Sequence, residues 1–376
     1  MRDEFYGSFN EQSGGGGGII ILEDSVFLML GGEIQKNEAG LGGGIFIFGS
    51  FILKDGVISR NMASLGGGIY SDGSLIMENG IISNNKSTGH AGGIYVEEEK
   101  EFIMSGGKIT YNESFINGGG LLIDGRFIME DGEISFNYSQ DDGGGLYITK
   151  DAELIMSGGS ILKNVSNTDG GGISIAGSAA LANFIISGNQ AKNDGGGIYL
   201  RRNARLVIKD GILNQNQAGN GGGIISDGII NISGTTITGN QAIRGGGIYN
   251  FGLIDIQDCI FRENSALYGG AFFSGDNSYS EIKNCNITGN YALINGGGLM
   301  GIVTNNKTYL SNVNINNNKS LSGGGLYIGN GAFVSISGDI TNNIAKRGSF
   351  LFSQRLGSFE FSSVSSMNPD EIYTEE

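Results

Sequence analysis

Gly-Gly-Gly followed by an apolar residue returns along nearly the whole chain, and this repeat limits what the chain can fold into more than any other feature. The apolar residue falls at Ile19, Ile45, Ile69, Ile94, Leu121, Leu146, Ile173, Ile198, Ile224, Ile248, Ala271, Leu299 and Leu326, with a degenerate copy at Phe350, at spacings of 23 to 28 residues. Seven to nine residues before each stands an asparagine: Asn10, Asn37, Asn61, Asn85, Asn112, Asn137, Asn164, Asn189, Asn216, Asn240, Asn264, Asn290, Asn318 and Asn343. A large apolar residue precedes nearly every one of these by three positions, as at Ile34, Ile109, Ile134 and Ile161, and another lies five positions earlier still, as at Met29, Met104, Met129 and Met156.

Within a unit the apolar residues alternate, as in Ile45-Phe46-Ile47 and Phe127-Ile128-Met129, which is the period of a strand and not of a helix. Runs of three to five residues between glycines and asparagines are too short and too Gly-rich for helices. Three short strands in a unit of ~25 residues close no core alone. Stacked on copies of themselves at the roughly 4.8 Å strand spacing, they do. The expected fold is therefore all-β: a right-handed parallel β-helix of about fourteen coils of ~25 residues, with three short strands per coil. It should occupy residues 1–360, followed by a polar, acidic tail over 361–376 that is loosely ordered. The asparagines from Asn37 to Asn318 should form an internal amide ladder, and the glycines should serve tight corners or close backbone packing.

Composition narrows the function. The 376 residues include 70 Gly, one Pro, one His and no Trp, with a net charge of −15. Such a charge opposes binding to nucleic acid or to an anionic membrane, and no apolar run is long enough to span a bilayer. A single imidazole, His90, leaves no histidine metal cluster and little scope for a catalytic triad; it reads as a surface substitution for the missing first glycine of its corner. Cys259 and Cys285 share one column and should stack on adjacent coils as buried thiols, with a disulfide as the alternative.

The apolar-x-x-Asn and glycine-rich elements, above all Phe261-Arg262-Glu263-Asn264 with Gly269-Gly270-Ala271-Phe272, and the Asn-x-Ala of Asn189-Gln190-Ala191 and Asn240-Gln241-Ala242, resemble the repeats of chlamydial polymorphic outer-membrane proteins. More broadly, the pattern is similar to the pectate-lyase-like β-helices of surface adhesins. The resemblance implies a non-catalytic passenger displayed at the cell surface or outside the cell, within a longer secreted protein; no signal peptide is evident. Its partners would be a glycan or a surface protein, with no membrane insertion of its own and with end-to-end self-association as a further expectation.

Two clusters bear on this. An aromatic stripe stands one residue after the first apolar column: Phe46, Tyr70, Tyr95, Tyr147, Tyr199, Tyr249, Phe272 and Tyr327. Outward rings either stack on sugars or bind a partner, or they stabilise one another and shield the sheet. Asn167-Thr168-Asp169-Gly170 and Gln140-Asp141-Asp142 are similar to polygalacturonase catalytic motifs, but in reversed order and without the family's His and Arg-Ile-Lys. That makes a polysaccharide-cleaving enzyme, or its degenerate relative, the alternative, and a structural spacer a further one. Asp141, Asp142, Asp169 and Asp194 are also the candidate ligands of a weak calcium site; no other cofactor is expected.

Overall fold

The computed structural model describes residues 16–301, 306–364 and 371–375. It is a parallel β-solenoid of about fourteen turns. All strand pairings are parallel, each to the equivalent strand one coil away, and there is no α-helix among the described residues, hence none long and apolar enough to cross a membrane.

One coil shows how sequence makes the turn. After Gly118-Gly119-Gly120, the strand Leu121–Ile123 points Leu121 and Ile123 into the bore. A corner at Asp124-Gly125 leads to Arg126–Met129, which buries Phe127 and Met129. A bend through Gly132 leads to Glu133–Ser135, which buries Ile134. Phe136, at φ 54°, turns the chain into Asn137 and the short strand Tyr138–Ser139. Repetition yields a fifteen-stranded sheet of three-residue strands, a second sheet folded along its middle with two strands per coil, and short corner pairings. Each fully buried side chain contributes roughly 1.5–3 kcal/mol, and one continuous apolar column runs the length of the rod.

The glycine triplet has two physical causes. The first glycine is left-handed in every described coil but one, as at Gly118 (φ 70°). The second and third face the next coil: a Cβ at Gly119 would lie 2.3 Å from the Gly144 carbonyl oxygen, and one at Gly120 would lie 2.7 Å from that of Gly145. Close stacking of backbones leaves no room for a Cβ at these two positions of the coil.

This geometry corrects the register at three places. Phe272, not Ala271, pairs with Ile248 and Leu299, so Ala271 is the third member of its triplet. Leu351, not Phe350, pairs with Leu326. Ala91, at φ 60°, replaces the missing first glycine, whereas His90 lies one residue earlier, pairs with Leu65 and accepts the Asn117 N–H at Nδ1. In addition, the segment expected to be a loose tail is partly built in: Ser358–Val364 extends the second sheet and Ile372–Thr374 is the last strand of the first.

The bore is not uniformly apolar. Asn250, Ser274, Ser278, Ser280, Asn306 and Thr308 are buried and hydrogen-bond one another; for example, Asn250 Nδ2 donates to Ser280 Oγ at 3.1 Å and Asn306 Nδ2 to Ser278 Oγ at 2.9 Å. Cys259 and Cys285 are buried free thiols on adjacent coils, and the Cys259 N–H donates to Cys285 Sγ at 3.4 Å.

Candidate functional site

The asparagines lie at the bend between the second sheet and the corner strands. From Asn37 through Asn61, Asn85, Asn112, Asn137, Asn164, Asn189, Asn216, Asn240, Asn264, Asn290 and Asn318 to Asn343, each Nδ2 donates to the next Oδ1 at 2.9–3.1 Å. The same Oδ1 accepts the backbone N–H of the previous asparagine, as from Asn137 N to Asn164 Oδ1 at 2.9 Å. The second Nδ2 proton goes to the carbonyl of the preceding coil's apolar column, as from Asn164 to Ile134 O at 2.9 Å. Asn10 lies outside the described residues. The column is thus structural, and its amides are committed to the fold.

The outer face of the first sheet forms the floor of a trough. On one side stand the residues that follow its strands, Asp72, Glu97, Asp124, Thr149 and Arg201; on the other stand those that precede the glycine corners, His90, Asn117, Asp142, Asp169, Asp194 and Asn220. The stripe residues form this floor, with one exception: Phe272 points inward and is 1 % exposed, and Phe273 takes its place. The rims cover much of the floor. Phe46, Tyr70, Tyr249 and Tyr327 are buried, whereas Tyr95, Tyr147 and Tyr199 are half-buried. Toward the C-terminal end, Ile225, Tyr249, Phe273, Met300, Tyr327 and Phe352 pack into a second small core. At the other end, Phe46, Tyr70 and Tyr95 stack at 5.0 Å between successive centroids. Tyr70 is buried and donates its hydroxyl to Glu97; burial first, and then this bond, make Tyr70 hold its proton more tightly, whereas Glu97 is raised by burial against the lowering effect of the same bond.

The accessible part is the middle. Ser174 interrupts the rings between Tyr147 and Tyr199, and Arg201 fills the gap. Its guanidinium stands 5.7 Å from the Tyr147 ring centroid and 5.1 Å from that of Tyr199, and it crosses the trough to pair with Asp142. Burial pushes the Tyr199 hydroxyl up to about 12.

The four candidate metal ligands do not converge. Asp142, Asp169 and Asp194 are strung along the rim one per coil, with the Asp169 N–H donating to Asp142 Oδ1 and the Asp194 N–H to Asp169 Oδ1, each at 3.2 Å. Asp141 is exposed, and Arg201 already neutralises Asp142. Among the described residues, no three acidic, histidine or cysteine side chains are grouped to hold a metal. The in-register stack sets carboxylates side by side instead of around a point. Asp169 is the perturbed member: burial, then the neighbouring Asp194 carboxylate, raise it to about 6.

A feature missed by sequence reasoning lies beside Arg201. The corners after the first sheet are four residues long at 149–152 and 201–204 but two residues long at 176–177 between them. The short corner leaves a notch that opens into a cavity of about 670 Å³, lined by Lys150, Ala176, Tyr199, Arg201, Arg202 and Arg205 among others. Its signal was in the ladder spacing. Asn137 to Asn164 and Asn189 to Asn216 are 27 residues apart, whereas Asn164 to Asn189 are 25.

A family model described as the Chlamydia polymorphic membrane protein repeat matches residues 183–201, which hold Asn189-Gln190-Ala191, the triplet Gly195-Gly196-Gly197 and Tyr199. No curated protein and no solved structure matches the chain.

Proposed function

We propose that this chain is a non-catalytic recognition module, a rigid β-solenoid of the pectate-lyase-like kind displayed at a cell surface or secreted, that adheres through its long trough-bearing face to a glycan or a surface protein. The observation that carries the reading is the set of half-buried rings Tyr95, Tyr147 and Tyr199 along one face, with Leu122 and Ser174 between them. Aromatic faces with a neighbouring guanidinium suit sugar rings and protein anchors alike. The repeat match at residues 183–201 supports a surface setting. The described corners are short, so no loop walls off a deep cleft of the kind that catalysis on a polymer needs.

The test is an array of polysaccharides and surface proteins incubated with the purified chain. Retention that weakens in the Tyr95→Ser, Tyr147→Ser, Tyr199→Ser triple variant supports the reading; retention unchanged by it makes the stripe structural. The Tyr249 and Tyr327 rings are unsuited to this test because they belong to a packed core.

A polysaccharide-cleaving activity is the second reading, favoured by Asp169 alone, whose carboxyl is raised to about 6, in the range of a general acid. New sugar ends released by the wild-type chain but not by Asp169→Asn would replace the first reading with this one.

A further inference from the structure

We infer that the notch between the 149–152 and 201–204 corners is a binding site for an acidic saccharide, one bearing carboxylate or sulfate groups; the inference rests on the recognition reading above and locates its ligand. Four of the chain's 23 basic residues line this one cavity, Lys150, Arg201, Arg202 and Arg205, against two acids, Asp151 and Asp227. In a chain of net charge −15, that local excess attracts an anion where the rest of the surface repels one.

The basic groups are also differently committed. Arg201 is held over the tyrosines by Asp142, and Arg202 lies 3.9 Å from Asp227 with its side chain 81 % exposed. Among the described residues, Lys150 and Arg205 form no ion pair. Their charges therefore remain available to an incoming ligand. Guanidinium groups bind carboxylate and sulfate through paired N–H donors.

Shape agrees with charge. The short corner Ala176-Gly177 sits between two long ones, so the opening spans two coils, about 9–10 Å. A pyranose ring fits such a slot, and Tyr199 is among the residues that line it. The notch has a volume of about 670 Å³ and opens broadly to solvent. A matching alternation of long and short corners at 97–100, 124–125 and 149–152 carries Glu97, Glu98, Glu99, Asp124 and Asp151 against Lys100 and Lys150, and there Asp124 accepts from Tyr95 and Thr149.

The test is calorimetric titration of the whole chain with three hexasaccharides: heparin-derived (sulfate and carboxylate), hyaluronate-derived (carboxylate alone) and maltohexaose (neutral). The wild type should bind one or both acidic sugars at a single site, more weakly as salt rises. Affinity should fall roughly tenfold or more in Arg202→Glu, Arg205→Glu, and also in Ala176→Trp, which fills the slot without changing charge. The control Lys192→Glu, Lys209→Glu has the same net charge change away from the notch and should bind like the wild type. Acidic sugars bound equally by all variants, or weakened as much by the control, overturn the site. Binding of maltohexaose alone overturns the site and leaves the recognition reading standing, whereas no retention of any ligand on the array overturns both.

Discussion

A single ladder asparagine satisfies several buried polar groups at once, which sets the scale of its loss. Asn164 Oδ1 accepts from the Asn137 backbone and side chain, and its Nδ2 donates to Ile134 O and Asn189 Oδ1. Asn164→Ala orphans all of these in the interior, and should cost on the order of 3–5 kcal/mol in urea unfolding. The left-handed positions predict the opposite sign. Ala91 holds φ 60° where other coils have glycine, so Ala91→Gly should raise stability by about 1 kcal/mol in the same assay. Asp169 yields a prediction in pH. Its folded pKa, about 6, lies above its ordinary 3.8, so the native state holds the proton more tightly. Its stabilising contribution is complete below the ordinary value and is lost as pH rises through about 6. Asp169→Asn should match the wild type near pH 3.5 and exceed it at pH 7 by about 1 kcal/mol, the shift being discounted for the solvent that reaches the carboxyl. A stability difference that does not change with pH would contradict this. The residue types of the ladder and triplet were legible in the sequence. The left-handed residue before each asparagine was not, because Phe136, Lys163 and Gln215 share no chemistry, only a φ of 52–55°.

At the scale of strands and bends, the rod has two kinds of coil. Up to Gly159, the bend in the second sheet places a glycine at φ 81–118°, with the methionine of the preceding coil filling the space where most of their Cβ atoms would be: Met77 Cε lies 2.5 Å from the Gly107 position and Met104 Cε 2.5 Å from that of Gly132. From Asn183 to Asn312, an Asn, Asp or Gly one residue earlier takes the left-handed turn, and Phe184, Thr235, Cys259, Cys285 and Val313 occupy most of the column; Gly338, at φ 130°, returns to the first kind. The partner column changes with it, from Met to Leu181, Ile208, Ile232, Ile256 and Ile282, so side-chain volume passes between neighbours at constant packing. Gly211 tests the trade, since its Cβ would lie 2.2 Å from the Phe184 ring. Gly211→Ala should destabilise strongly, and Phe184→Val, Gly211→Ala should be less destabilised than the sum of the single variants by more than about 1 kcal/mol. Additive losses would show that the two do not compete for the same space.

At the scale of the molecule, each coil touches only its neighbours, so stability is nearly a sum over coils and interfaces. Removing residues 138–164, one full period from one ladder asparagine to the next, should leave a folded rod with an unbroken ladder. Its length in small-angle scattering should fall by about 4.8 Å. Loss of the β signal in circular dichroism would contradict a repeat that is modular in this sense.

Period and residue type were decided by the sequence alone. Alternating apolar residues, glycine triplets and spaced asparagines are self-consistent only as stacked parallel coils, because each coil has to bury its inner face against copies of itself. Exact register, exposure and charge placement were decided by tertiary structure. Ala271 and Phe350 occupy glycine positions, and only pairing with Gly247 and Gly325 shows it; with that register the first-strand spacing from Ile19 to Leu351 narrows to 24–27 residues. The outward rings alternate correctly on paper, yet packing against neighbouring rings buries Tyr70 and Tyr249, while Tyr147 and Tyr199 stay half-buried. The notch exists because two residues are missing from one corner relative to the corners above and below it. That comparison runs between coils 25–27 residues apart, and only stacking brings them together.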